Sequence, residues 1–225
     1  MQLVPVAYYR GPLGSKFGIP RQSGLAGSLE GRIVFEPAWR DANAVRGLDG
    51  FDRIWLIWGF SANLPAKGEW QPTVRPPRLG GNERLGVWAT RSPFRPNPLG
   101  LSAVRLVRVE TASAEGPVLH VTGADLMDGT PIYDIKPYIV YADSHPDAAQ
   151  GFAAGAPEPS LEVAFLAEVP FGAEEREALR QVLSLDPRPP FQDDPDKVYG
   201  FPFAGYDIRF RVRNQLLSVI EIQAL

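Results

Sequence analysis

The 225-residue chain has no cysteine, two histidines, two methionines and, beside 19 arginines, four lysines. Without cysteine there is no disulfide framework, no CxxC redox pair, no thiolate zinc site and no cysteine-held iron–sulfur cluster. His120 and His145 leave little for an imidazole metal centre or a Ser-His-Asp triad, so no metal is expected. No apolar run approaches the roughly 18 residues that would suggest a membrane-spanning helix. The segment Met1-Gln2-Leu3-Val4-Pro5 shows neither the basic nor the apolar region of a secretory signal, so a cytoplasmic protein is expected. The phosphate-binding G-x-G-x-x-G and G-x-x-x-x-G-K-[ST] loops and the G-x-S-x-G nucleophile elbow are also missing.

Glycine and proline, at 22 and 23 residues, make up one residue in five. That is more than average usage but below the level of unpatterned disorder. Proline costs about 3 kcal/mol inside a helix, so long helical bundles are excluded in favour of a chain rich in turns. Charge is unevenly placed. Between Glu69 and Arg108 seven arginines face two glutamates, whereas between Asp143 and Lys197 twelve acidic residues face four basic ones. A local arginine field suits an anionic partner, because the planar guanidinium matches phosphates and carboxylates and stacks on bases.

Strand-like segments dominate the first 142 residues: Gln2–Tyr8, Gly31–Glu36, Phe51–Phe60, Leu85–Ala89, Ser102–Val109 and Val118–Thr122. A short helix is expected over Ala38–Val45, after Pro37 and ended by Gly47. The run Ile54-Trp55-Leu56-Ile57-Trp58 suits a strand covered on both faces. Short strands between Gly/Pro turns suggest a closed barrel or a packed sandwich. Residues 144–159, rich in Ala, Gly and Pro, read as a linker. Residues 160–225 read as a small α+β unit. It has a strand over Ser160–Glu168, an amphipathic helix over Glu174–Leu185 and strands over Tyr206–Val212 and Leu216–Gln223.

Three long irregular stretches, 9–30, 61–84 and 90–100, combine stiff prolines with glycines that allow close backbone approach, as a pre-shaped ligand wall needs. Two motifs are densest: Thr90-Arg-Ser-Pro-Phe-Arg95-Pro-Asn-Pro-Leu-Gly-Leu-Ser102, and Thr122-Gly-Ala-Asp125-Leu-Met-Asp128-Gly-Thr-Pro-Ile-Tyr-Asp-Ile-Lys136-Pro-Tyr138. Together with Pro20-Arg-Gln22, Arg46-Gly-Leu48, Pro72-Thr-Val-Arg-Pro-Pro-Arg78 and Asp186-Pro-Arg-Pro189, they resemble the TsaA-like family of SAM-dependent tRNA (adenine-N6)-methyltransferases of the TrmO type.

The resemblance implies a mainly β protein. A small closed, non-Rossmann β-barrel over residues 1–143 would bind S-adenosyl-L-methionine (SAM), followed by the small α+β C-terminal unit. It implies methyl transfer to threonylcarbamoyladenosine beside the anticodon of tRNA. It places the cofactor against Gln22, Ser23, Gly24, Leu25, Ser61, Ala62, Arg91, Leu101 and the run Thr122, Gly123, Ala124, Asp125. Family members carry His-Gln where this chain has Ser61-Ala62, so contact there rests on the backbone. A proton must leave the target nitrogen, and Asp125, Asp128 or an ordered water are the acceptors considered. Arg95 and Lys136 are the cations expected to hold the threonyl carboxylate of the substrate. A homodimer is expected, since a barrel of this size has little interior for both a cofactor and an RNA base. Composition alone also admits a non-catalytic RNA- or nucleotide-binding barrel and a protein-interaction module built on proline-rich loops; SAM binding separates these from a methyltransferase.

Overall fold

Aliphatic and aromatic residues alternating with polar ones build most of the chain into strands. The structure, a computed structural model, describes residues 2–62, 70–80, 82–155, 160–189 and 194–225. In chain order the strands are β1 (Ala7–Arg10), β2 (Glu30–Phe35), β3 (Arg53–Gly59), β4 (Thr73–Val74), β5 (Leu85–Gly86), β6 (Leu99–Ser113), β7 (Gly116–Thr122), β8 (Pro131–Pro137), β9 (Glu162–Phe165), β10 (Tyr199–Phe203), β11 (Tyr206–Arg213) and β12 (Leu216–Ala224). The helices are α1 (Val140–Asp143) and α2 (Ala173–Ser184).

Six strands close into a barrel in the order β1-β2-β7-β6-β3-β8, with β8 returning to β1. All of these pairs are antiparallel. Closure leaves no free sheet edge in the barrel. Its interior holds Tyr9, Ile33, Ile54, Leu56, Val104, Leu119, Val121 and Ile132, all buried. Alternation puts Ile54, Leu56 and Trp58 inside, while Trp55 and Ile57 point outward and stay half-buried. The apolar run is therefore covered fully on one face and partly on the other.

The C-terminal unit is a four-stranded sheet, β10-β11-β12-β9, with β9 parallel to β12. Helix α2 buries Ala178, Leu179, Val182 and Leu183 in its core. That core is shared. Leu13, Ala26 and Leu29, from the segment joining β1 to β2, are buried among Phe201, Phe203 and Phe210. Ala204 N–H donates to Pro12 O at 2.8 Å, and Gln181 accepts from Ser28 N–H at 2.9 Å. The long loop 11–29 is thus clamped between barrel and C-terminal unit.

Several expected elements differ. The helix expected over Ala38–Val45 is two 3-10 turns, Pro37–Trp39 and Ala42–Val45. The Asp41 side chain accepts from Asn43 N–H and starts a new turn between them. The first strand lies over Ala7–Arg10, later than Gln2–Tyr8, because Pro5 supplies no ladder donor. The strand expected over Leu85–Ala89 is two residues long and runs into a 3-10 turn. Strands β4, β8 and β10 were not anticipated. Helix α1 and a 3-10 turn at Gly151–Ala153 occupy described parts of the segment around the expected linker.

Candidate active site

One end of the barrel is shaped by two strand ends lying side by side. Strand β3 runs out through Trp58-Gly59-Phe60, and β6 enters through Leu99-Gly100-Leu101-Ser102. Their antiparallel register sets Trp58 opposite Gly100 and Leu56 opposite Ser102. The Trp58 indole lies flat over Gly100, where a Cβ would come within 2.2 Å of the ring. Only glycine admits the ring there. The indole also packs on Phe60, with ring centroids 4.4 Å apart.

After β7 the chain turns at Gly123, which has φ +74°. Gly123 N–H donates to Leu29 O at 2.9 Å, and its carbonyl accepts from Gly24 N–H at 2.8 Å. This pins Ala124 and Asp125 beneath the loop 11–29. The Asp125 carboxylate then meets the β3–β6 pair: Trp58 Nε1 donates to Ser102 Oγ at 3.0 Å, and Ser102 Oγ donates to Asp125 Oδ1 at 2.6 Å. Burial pushes the Asp125 carboxyl above the ordinary range. The Ser102 hydroxyl, its own backbone N–H, the Arg91 charge and the Ser23 N–H oppose that rise.

These groups face a cavity of about 500 Å³ at the barrel mouth, within the usual range for small-molecule sites. Its apolar walls include Ile19, Trp58, Phe60, Leu99 and Leu101. Among the described residues that line it are four cations, Lys16, Arg21, Arg91 and Arg95, and one carboxylate, Asp125. Of the positions expected from sequence, Gln22, Ser61, Ala62, Arg91, Arg95, Leu101 and Asp125 line this cavity together. Arg91 donates to Gln22 Oε1, joining the third of the long loops to the first. Arg95 Nη1 donates to Thr90 O at 2.7 Å and Ser92 O at 3.4 Å, and the guanidinium lies 5.3 Å from the Trp88 ring centre.

Other expected positions stand behind the wall. Ser23, Gly24, Thr122, Gly123 and Ala124 act through backbone bonds and packing, and Ala124 is buried. Leu25 is half-buried in the same loop and is not among the residues lining the cavity. Asp128 accepts from Gly11 N–H at 3.1 Å and sits 3.9 Å from Arg10, so it ties down the start of loop 11–29 away from the cavity. Lys136 pairs with Asp134 at 3.0 Å on the outer face of β8 and also lies off the cavity. Sequence reasoning did not name Trp58, Phe60, Ser102, Met127 or Thr130 as site residues. Among the described residues no group of side chains has the spacing of a metal site, and no helix is long and apolar enough to cross a membrane.

Comparison with known proteins gives consistent results. Residues 8–144 match the family model for the tRNA-methyltransferase O N-terminal domain, and residues 158–225 match that for the TrmO C-terminal domain. The tRNA (adenine(37)-N6)-methyltransferase of Escherichia coli K12 is 39% identical over 99% of this chain and 97% of its own length. The enzyme of the same name from Eikenella corrodens is 46% identical over 78% of this chain and 98% of its own. A putative S-adenosylmethionine-dependent methyltransferase of Pseudomonas aeruginosa is 38% identical over 97% of this chain and 96% of its own. The crystal structure of TrmO from Pseudomonas aeruginosa superposes with a TM-score of 0.78 at 31% identity, covering 100% of this chain and 98% of that one.

Proposed function

Because the chain belongs to the tRNA-methyltransferase O family over both of its parts, we propose that it transfers a methyl group from SAM to N6 of threonylcarbamoyladenosine beside the anticodon of tRNA. The observation that carries this reading is the cavity at the barrel mouth, where Arg91 and Asp125 face apolar walls drawn from three distant segments. Such a wall fits SAM, which has an aromatic base, a cationic centre and an amino acid end. Trp58, Phe60 and Leu101 offer the apolar surface, Arg91 with Gln22 an anion-binding corner, and Asp125 an acceptor for a cation. When bound, SAM supplies an activated methyl group with a good leaving group, so the protein contributes mainly alignment.

In this reading Asp125, the one carboxylate among the described residues lining the cavity, takes up the proton that the adenine nitrogen gives up. Asp128, held by Gly11 N–H, serves the loop instead. Arg95 faces the cavity with Nη1 committed to loop carbonyls, which leaves its other guanidinium donors for the threonyl carboxylate. Lys136 is the weaker choice. Arg75 and Arg84 are exposed and suit the phosphates of an RNA loop, whereas Arg78 donates to the carbonyls of Ala153, Ala154 and Gly155. Leu99, Leu101, Phe94 and Trp88 at or near the cavity rim are exposed; a second copy of the chain covers them and completes the wall. The reaction belongs to the cytoplasm. Residues 1–143 carry it, 144–159 connect, and 160–225 hold loop 11–29.

The decisive experiment measures methyl transfer from labelled SAM to tRNA with and without the threonylcarbamoyl group. Transfer only to the modified tRNA is expected. Comparable rates on both would remove the substrate reading, and no transfer to either, with no SAM binding by calorimetry, would remove the methyltransferase reading.

A further inference from the structure

The barrel interior carries few buried polar side chains, and Ser102, only 1% exposed, is one of them. Its partners fix its role. An indole N–H can only donate, so the Ser102 oxygen accepts from Trp58 Nε1 at 3.0 Å. The single hydroxyl proton is then left for Asp125 Oδ1, 2.6 Å away. That distance lies in the range of an O–H···O⁻ bond, about 2.5–2.7 Å. Were Asp125 protonated on that oxygen, its proton would be donated to the serine oxygen, which can accept it beside the indole N–H. The hydroxyl proton would then lose its partner in a buried place. The three-residue chain is therefore directional, with Asp125 Oδ1 as an unprotonated acceptor, and a hydroxyl donated to that oxygen favours the charged carboxylate.

We infer that Ser102, oriented by the Trp58 indole, is a positioning residue that keeps the Asp125 carboxylate ionised and turned to the cavity, and so sets the pH range in which the cavity accepts a cationic ligand. The consequence for catalysis rests on the reading of this cavity as the cofactor site. Other charged and titratable groups bear on Asp125 too. Arg91 favours the charged form, and the buried Tyr9 phenol senses the Asp125 and Asp128 charges. Lys16, Arg21 and Arg95 line the same cavity. None of these touches Asp125 through a buried donor as Ser102 does, and the Ser23 N–H reaches it from the backbone. Ser102 is therefore the side chain whose removal acts on Asp125 without altering the charge of the cavity.

The test titrates Asp125 by carboxylate ¹³C NMR in the full chain, alongside calorimetry of binding of SAM, whose sulfonium is cationic, across pH. In S102A the Asp125 midpoint is expected to move up by roughly one pH unit, the worth of one hydrogen bond to a charged group. The acid limb of the binding curve should move with it. S102T, which keeps the hydroxyl, should restore both. W58F keeps an aromatic ring and removes the donor, and should produce a smaller shift in the same direction; it serves as the readout if S102A does not fold. A midpoint and binding curve unchanged in folded S102A, or unchanged in W58F where S102A does not fold, would overturn the inference. Failure of the functional reading looks different: the wild-type chain would transfer no methyl group to tRNA, whatever the titration of Asp125.

Discussion

Glycine 100 is the position at which the candidate site depends on the absence of a side chain, and Gly100→Ala tests that dependence. A Cβ built there falls 2.2, 2.3 and 2.6 Å from three Trp58 ring atoms, whereas carbon atoms rest about 3.5–4.0 Å apart. The ring must withdraw by roughly 1 Å or more. It has nowhere to go cheaply: Trp58 is 8% exposed, lies against Phe60 and donates its N–H to Ser102. Overpacking of this kind costs about 1–3 kcal/mol. Losing the partner of a buried donor adds about 1–3 kcal/mol. The smaller conformational freedom of alanine in the unfolded chain returns about 0.4–1 kcal/mol. A net loss of about 1–6 kcal/mol should lower the melting temperature by roughly 2–20 °C in a chain of this size. Gly50→Ala is the control, because nothing lies within 4 Å of a Cβ there. Thermal melts and SAM calorimetry on both variants give the answer. A Gly100→Ala protein that melts within a degree of the parent and binds SAM equally well would show that the indole does not lie as described.

Three further outcomes are expected. Arg91→Ala should weaken SAM binding by about tenfold, the worth of one charged hydrogen bond at an exposed site, while Arg108→Ala, which loses only a surface pair with Glu110, should leave calorimetric affinity unchanged; equal effects would sink the placement of Arg91. Asp125→Asn should abolish methyl transfer yet raise the melting temperature at pH 7. Burial holds the folded-state pKa of Asp125 above its unfolded value, so its ionised form costs stability above that midpoint, and the advantage of the amide should shrink as pH falls through it; a variant less stable at pH 7 would contradict the sign. Gln181→Ala removes both bonds from helix α2 to Ser28, so amide exchange around residues 22–24 should quicken and SAM affinity fall severalfold, and unchanged exchange would show that α2 does not hold the loop.

How much of this was legible in the sequence depended on local pattern. Strands β11 and β12 alternate cleanly, because one face is buried and the other wet, and their ends were found within a residue or two. Strand β10 was hidden because Tyr-Gly-Phe-Pro-Phe carries two residues that weaken a strand. It lies at the edge of its sheet, where a missing proline donor is tolerated. Strand β8 starts and ends in proline and shows Asp134 and Lys136 on its outward side, so it reads as a motif. It is a strand because β1 and β3 flank it. The shared core was also invisible. Leu13, Ala26 and Leu29 show no periodicity of their own, and only the fold brings them to Phe201 and Phe203.

The site shows the same division. Arg91, Leu101 and Asp125 stood out because they sit in unusual proline- and glycine-rich runs, and they line the cavity. Asp128 stood out for the same reason and lies elsewhere, because an Asp-Gly turn is favoured for its backbone alone. Ser102 and Trp58 were read only as strand residues and not as part of the site. One signal was nevertheless available. Within β6, Ser102 shares its phase with Val104 and Leu106, both buried inside the barrel. A hydroxyl on the inward side of a closed barrel is in a place where polar groups need partners. A strand phase that turns a serine inward therefore already asks what it bonds. The structure answers with a donor that can only give, Trp58 Nε1, and an acceptor at the cavity wall, Asp125. The polar exception in an apolar stripe was thus the clue to the carboxylate's support, and it pointed there without any motif.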